Sequence, residues 1–249
     1  MTNLTNYLRS RPRALLLFSG GTDSSLLLAA AAPLLGPGLT ALTFTGPHTV
    51  PGEVAGAVAL ARRFRVRHLV RETDPLRLPD FRQNTRLRCY ACKKAIIEQA
   101  QEIAAAQGIE EIWDGTNLDD LGDFRPGLQA ARELGIRSPL LEAGLGKAAI
   151  RAMSRRLGLA WDRPPQSCLA TRFPYDTLLT ETTLARVGQA ESWLRRRGFS
   201  YVRLRIRGER ARLELTHQEW PAFLNPQVRR PFTALAARLG WEVELDGCL

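Results

Sequence analysis

The sequence predicts an α/β fold: a doubly wound parallel sheet followed by a smaller α+β domain. Three observations carry this. Over residues 1–158, short apolar runs alternate with segments of helical periodicity, the pattern of a parallel sheet covered by helices on both faces. The first of these runs, residues 14–18, stops at Ser-Gly-Gly and passes into a helical segment. Beyond a proline-containing stretch at 159–179 the rhythm changes to long helix, hairpin, helix and strand.

Taken in order, strand-like runs fall at 14–18, 39–45, 66–70, 111–113 and 136–140. Helical segments fall between and after them at 24–35, 53–64, 92–107, 128–134 and 147–157. The helix at 92–107 is the clearest. Ile96, Ile97, Ala100, Ile103 and Ala104 recur at helical spacing and Gly108 ends it. Residues 159–179, with Pro164, Pro165 and Pro174, read as an exposed connection that carries function. A helix at 181–197, a hairpin of 201–206 and 210–215 turning at Gly208-Glu209, a helix at 226–239 and a closing strand at 241–245 form the second domain. The domains expected are therefore 1–158, the connection 159–179, and 180–249. The tryptophans, among them Trp161, are expected in the core or an interface.

Composition bounds the function. The chain has 249 residues, 45% hydrophobic and 24% charged, the balance of a soluble globular protein. No apolar run approaches the roughly 20 residues of a membrane span, and the longest, 26–35, is interrupted by Pro33. The first residues hold no apolar core ahead of a cleavage site, so no signal peptide is expected and the cytoplasm is the expected compartment. Collagen-like, disordered, membrane and secreted-miniprotein classes are excluded. A net charge of +10 suits nucleic acid or anionic metabolites. Only Lys93, Lys94 and Lys147 are lysines, however, so the excess is also a compositional preference for arginine.

The most informative segment is Ser19-Gly20-Gly21-Thr22-Asp23-Ser24. Two glycines let backbone amides approach an anion, and the helix start adds unpaired N–H groups and a positive dipole end. Ser19, Thr22 and Ser24 supply hydroxyls. Asp23 is out of place beside a phosphate unless it binds Mg²⁺ or caps the helix. The Walker lysine is missing. The alternative is an ordinary strand–turn–helix with capping residues. The segment Asp114-Gly115-Thr116-Asn117 also follows a strand, which puts it on the ligand-binding edge of such a sheet, with Asp119 and Asp120 as further Mg²⁺ candidates. Its plain reading is a turn with a cap.

Cys89 and Cys92 lie just before the helix at 92–107, among Arg86, Arg88, Lys93 and Lys94, which lower thiol pKa values. Cys168 sits far away in the connection. Three cysteines without an obvious fourth ligand suit a 4Fe–4S cluster with one open iron. Zinc completed by Cys248, His48, His68 or His217, a redox pair and inert thiols are the alternatives. Alone, Cys168 reads as an exposed nucleophile or sulfur donor with Arg172 near enough to favour its thiolate. Arg203, Arg205 and Arg207 share one face of a strand by the period of two and can grip anions with their forked donors, with Glu191 and Glu214 to orient them. The plain reading of both features is a solvated surface.

The loop resembles the SGGxDS pyrophosphatase loop of the PP-loop ATP pyrophosphatases, whose fold is that of the adenine nucleotide alpha hydrolases. With Arg88-Cys-Tyr-Ala-Cys-Lys-Lys94, Asp114-Gly-Thr-Asn-Leu-Asp-Asp120, Asp123-Phe-Arg-Pro-Gly127, Ser138-Pro-Leu-Leu-Glu-Ala-Gly-Leu145, Cys168-Leu-Ala-Thr-Arg-Phe-Pro-Tyr175 and Arg203-Leu-Arg-Ile-Arg-Gly208, the pattern resembles the LarE family over most of the chain. Members are ATP-dependent sulfur transferases of nickel-pincer nucleotide biosynthesis. Thr22, Asp176 and Arg207 stand where the family more often has valine, glycine and histidine.

The resemblance implies adenylation of a carboxylate of pyridinium-3,5-biscarboxylic acid mononucleotide, release of pyrophosphate, then thiocarboxylation and release of AMP. It implies ATP and Mg²⁺ at residues 19–24 with Asp114, Gly115 and Thr116, and Asp23 on the metal. It places the anionic nucleotide on Arg172, Arg203, Arg205, Glu191 and Glu214. Some relatives sacrifice the sulfur of the cysteine at position 168; others hold a 4Fe–4S cluster on three cysteines, here Cys89, Cys92 and Cys168. A homo-oligomer is expected, with no nucleic acid or membrane partner. A tRNA-thiolating enzyme is the alternative, favoured by charge but lacking a recognisable RNA module in the small domain. A non-catalytic ATP-binding protein would not need Asp23 and the cysteine set.

Overall fold

The computed structural model describes residues 2–122, 126–162 and 167–245. Asp123, Phe124, Arg125, residues 163–166 and Cys248 lie outside the described residues. The chain forms two compact units interleaved in sequence. The first comprises residues 1–46, 52–74 and 87–163; the second comprises 47–51, 75–86 and 164–249.

The first unit is built on strands β1 (Ala14–Leu17), β2 (Leu39–Thr45), β3 (Arg67–Glu72) and β4 (Ile112–Trp113), in the order β3-β2-β1-β4. All pair in parallel, with Leu15 opposite Thr40 and Ile112. Its helices are α1 (Thr2–Arg9), α2 (Thr22–Leu35), α3 (Glu53–Arg63), α4 (Arg88–Ala106), α5 (Pro126–Glu133) and α6 (Lys147–Arg156). Successive residues of β1 face opposite ways and all four are buried, because apolar layers cover both faces. Ala14 and Leu16 join Leu26, Leu27, Ala57, Trp113 and Ile150 in one layer. Leu15 and Leu17 join Ile97, Ala100, Ala104 and Ile112 in the other.

The fifth strand expected at 136–140 is reduced to one parallel bridge between Trp113 and Arg137. Pro139 has no N–H for a ladder and opens a helical turn, Pro139–Glu142, which ends the pairing at once. The sequence reading missed α1, an amphipathic helix that buries Leu4 and Leu8.

The second unit carries α7 (Glu181–Arg195), β5 (Arg203–Arg207), β6 (Arg210–Glu214), α8 (Pro226–Arg238) and β7 (Glu242–Leu245). β5 and β6 form the expected hairpin, turning at Gly208 with φ +60°, and β7 joins β6 in parallel. Leu204, Ile206, Ala211 and Leu213 point inward, while Phe199, Phe223 and Phe232 make edge-on aromatic contacts beneath the helices. Trp161 departs from the core expectation: it is 37% exposed, with Arg155 over its ring at 5.5 Å.

The described residues of the stretch 159–179 are only in part the exposed connection expected: Trp161, Tyr175 and Leu178 face solvent, but the part around Cys168 is held in the fold. Leu169, Ala170, Phe173 and Leu179 are buried, and 169–172 form a 3-10 turn. Sequence-distant segments of the same unit hold it. Leu169 N–H donates to the His48 carbonyl at 2.9 Å and Leu179 N–H to that of Arg82 at 2.7 Å. The fully buried Asn84 amide donates to the carbonyls of Phe173 at 3.3 Å and Pro174 at 2.7 Å.

Candidate functional site

The glycine loop leaves the carboxyl end of β1, a strand paired on both sides, and enters α2 at Thr22. Gly20 has φ +75°, and a Cβ there would meet the Ala57 Cβ at 3.2 Å. Gly21 is the N-cap and supplies no capping side chain, so the first-turn amides of α2 are left for another acceptor. Ser19 Oγ lies 3.1 Å from Ser24 Oγ, and Ser24 Oγ donates to the Gly21 carbonyl at 3.3 Å. Asp23 Oδ2 accepts from Asn117 Nδ2 at 3.3 Å, so the loop and the segment after β4 meet at one sheet edge.

Gly115 fixes how closely they meet. A Cβ on it would lie 2.9 Å from the backbone nitrogen of Ser24. Asp114 is nearly buried, and its side chain is used within the protein: Ser138 Oγ donates to it at 2.8 Å, the Thr116 amide at 3.1 Å, and Lys93 Nζ lies 3.4 Å away. The turn reading of this segment therefore describes the Asp114 carboxylate, while Gly115 and Thr116 bring backbone to the loop. Asp119 and Asp120 likewise accept from the amides of Lys147 at 2.5 Å and Asn117 at 3.0 Å.

A relay that the sequence did not reveal stands under the loop. Thr43 Oγ1 gives its one proton to the Phe18 carbonyl at 2.5 Å. Its 2.7 Å contact with His68 Nε2 then requires that nitrogen to donate. Burial lowers the His68 pKa, which favours the neutral ring.

Helix α4 begins one turn earlier than the sequence predicted, with Leu87 as its N-cap. Cys89 and Cys92 are thus inside its first turns, three residues apart and on one side of the helix. Cys89 is exposed, Cys92 half-buried, and neither they nor Cys168 form a disulfide. Among the described residues no three Cys, His, Asp or Glu side chains gather in a metal-binding group.

In the second unit, Cys168 is half-buried rather than exposed, and caps the turn that follows: the Ala170 amide donates to its Sγ at 3.4 Å. Thr171 Oγ1 donates to the Cys168 carbonyl at 2.7 Å and accepts from Arg172 at 3.0 Å. Arg172 and Glu191 have no exposed side-chain surface and form a two-pronged ion pair at 2.7 and 3.1 Å. Glu191 also accepts from Arg195 at 2.9 Å and the Leu204 amide at 3.0 Å. The expected substrate contact of Arg172 therefore falls on a buried residue that braces the cysteine turn, and Glu191 is no solvated helix-surface acid.

Arg203 and Arg205 keep partial exposure. Arg205 donates to Glu214 at 3.0 Å and to the Thr171 carbonyl at 2.8 Å, tying the hairpin to the turn. Arg203 lies over the Tyr201 ring at 4.9 Å. Burial lowers its pKa, and the charges of Arg172 and Arg205 push the same way. Three crowded guanidiniums form a place where an anion gains. Thr171, Arg195, Asn84 and Ser167, whose Oγ accepts from Arg172 at 2.7 Å, escaped the sequence reading. Only Asn84, with φ +54°, belongs to a type that tolerates the left-handed region and so carries a local signal.

No family model matches the chain. It is 40% identical over 225 residues to an uncharacterized protein of Synechocystis sp., covering 90% of this chain and 84% of that one. It is 28% identical over 198 residues to an uncharacterized protein of Methanocaldococcus jannaschii, covering 78% and 73%. It is 35% identical over 235 residues to the pyridinium-3,5-bisthiocarboxylic acid mononucleotide synthase of Lactiplantibacillus plantarum, covering 93% of this chain and 85% of that one. Similarity of that extent, shared with a synthase whose product is a thiocarboxylated pyridinium nucleotide, means that this chain belongs to the LarE family.

Proposed function

We propose that the protein is an ATP-dependent sulfur transferase that turns carboxylates of pyridinium-3,5-biscarboxylic acid mononucleotide into thiocarboxylates for a nickel-pincer cofactor. The observation that carries this is the 35% identity to the Lactiplantibacillus plantarum synthase over 93% of the chain, because the shared span includes both the glycine loop and Cys168.

The triphosphate lies along residues 19–24 with the backbone of Gly115 and Thr116 beside it. Asp23 holds Mg²⁺. The substrate carboxylate attacks the α-phosphorus; its oxygen forms the new bond as the bond to pyrophosphate breaks. Amides at the start of α2 and the hydroxyls of Ser19, Thr22 and Ser24 stabilise the charge that develops. Activation is needed because a carboxylate has no good leaving group, whereas its adenylate releases AMP.

Arg203 and Arg205 take the anionic groups of the substrate, and Glu214 fixes the Arg205 fork. Arg172 adds its field from behind and, with Glu191 and Thr171, holds the Cys168 turn. The thiol chemistry of Cys89, Cys92 and Cys168 suits a 4Fe–4S cluster, and in this reading these residues would hold it, although their described side chains do not gather into a metal-binding group as they stand. When bound, the cluster would supply the sulfide that displaces AMP. In this reading Cys168 is a ligand and keeps its own sulfur.

Anaerobically reconstituted enzyme with ATP and the pyridinium substrate should release AMP and pyrophosphate; tRNA in place of the substrate should not trigger release. Cys89→Ala should lose iron and sulfur transfer but keep ATP binding. Full multi-turnover activity in that variant, or loss of one sulfur from the protein's mass per turnover, would contradict the cluster assignment.

A further inference from the structure

The outer face of the β5-β6-β7 sheet carries charge that neither adenylation nor the Arg203–Arg205 pair uses. Because residues alternate across a strand, Arg203, Arg205 and Arg207 of β5 lie on the same face as Arg210 and Arg212 of β6. The register sets arginine directly against arginine twice, Arg205 opposite Arg212 and Arg207 opposite Arg210. Like charges directly opposite one another are destabilising. The face nevertheless carries an open hollow of about 180 Å³ lined by Arg205, Arg207, Arg210, Arg212, Glu244 and Leu245.

Acids serve these cations unevenly. Glu214 is shared by Arg205 at 3.0 Å and Arg212 at 3.3 Å, and Glu244 takes Arg210 at 2.9 Å. Arg207, at the rim, is exposed and has no acidic partner among the described residues. The geometry points to a phosphate-binding site on this face, with Arg207 and Arg210 as its principal ligands and Arg212 beside them. The guanidinium forks of Arg207, Arg210 and Arg212 carry more N–H donors than the oxygens of Glu214 and Glu244 can accept. A dianionic phosphoryl group, with three or four oxygens, uses them and relieves the arginine–arginine repulsion.

The chemistry is shared by two sources, free orthophosphate and the phosphomonoester of a pyridine nucleotide, and the site stands apart from the adenylation reading because it can be measured without ATP or turnover. Titration calorimetry on the full chain would use orthophosphate in one arm and nicotinic acid mononucleotide in the other. At least one should bind stoichiometrically, and Arg207→Gln with Arg210→Gln should weaken it tenfold or more. The single Arg207→Gln variant, at an exposed position, should weaken it in the same direction while leaving the circular dichroism unchanged. Tighter orthophosphate binding assigns the site to the free ion, and tighter nucleotide binding assigns it to the phosphate of a nucleotide. Absence of binding in both arms, an unchanged affinity in the double variant, or an equal loss in Arg62→Gln on exposed α3 would overturn the site.

Discussion

Glu191 carries two arginines on one buried carboxylate, and Arg172 depends on it for its strongest bonds. Glu191→Gln would leave a guanidinium buried with no countercharge, a loss of about 3–5 kcal/mol that denaturant unfolding would register. Glu214 partners more exposed arginines, so Glu214→Gln should cost far less stability and act mainly on substrate affinity. His68 predicts a pH dependence. Its folded pKa lies below that of the unfolded chain, about 6.5, so between the two the unfolded state binds more protons. Stability should therefore be fully present above that pH and fall as pH drops through the folded pKa of His68. In His68→Asn that part of the pH–stability curve should flatten; an unchanged curve would remove His68 as its cause. Glu191 could not be read as buried from the sequence. Its pattern on α7 resembles any helix-surface acid, and only the packing of the 169–172 turn and β5 reveals it.

At the scale of elements, the strand–loop–helix at 14–35 was legible because its local rules agree: buried run, glycines at the turn, no branched residue forced into φ > 0. The loop's partner was legible only in part. Gly115 looks like an ordinary turn glycine until β4 places it against the Ser24 backbone. Gly115→Ala should push the loop away and weaken ATP binding by about an order of magnitude or more, while the unfolding midpoint moves little. Titration of ATP against folded variant checks both. Helix α6 gives a control for local stability: Asp119 accepts from the Lys147 amide at its start, and Asp119→Ala should cost about 1 kcal/mol. The missing fifth strand has a plain cause, since an apolar run around Pro139 has strand composition but lacks a ladder donor where one is needed. The start of α4 was misplaced for the opposite reason. Arg88-Cys-Tyr-Ala carries no cap or breaker to mark a boundary, so periodicity alone set it too late.

Across the whole molecule, the residues of the proposed chemistry are divided between two units, one bearing the glycine loop with Cys89 and Cys92, the other bearing Cys168 and the arginines. The interleaving was beyond sequence reading. Segments 47–51 and 75–86 have no motif that assigns them to the second unit, yet they supply the His48, Arg82 and Asn84 contacts that hold the Cys168 stretch. The residues proposed to react stand out in the sequence because glycine, thiol and guanidinium chemistry restricts where they occur; the residues that hold them in place do not. The most direct test of the central claim is ³²P-detected nucleotide release from purified enzyme, with and without the pyridinium dicarboxylate. The account predicts AMP and pyrophosphate in equal amounts, dependent on that acceptor and abolished in Asp23→Ala. Formation of ADP and phosphate, or acceptor-independent AMP, would contradict it.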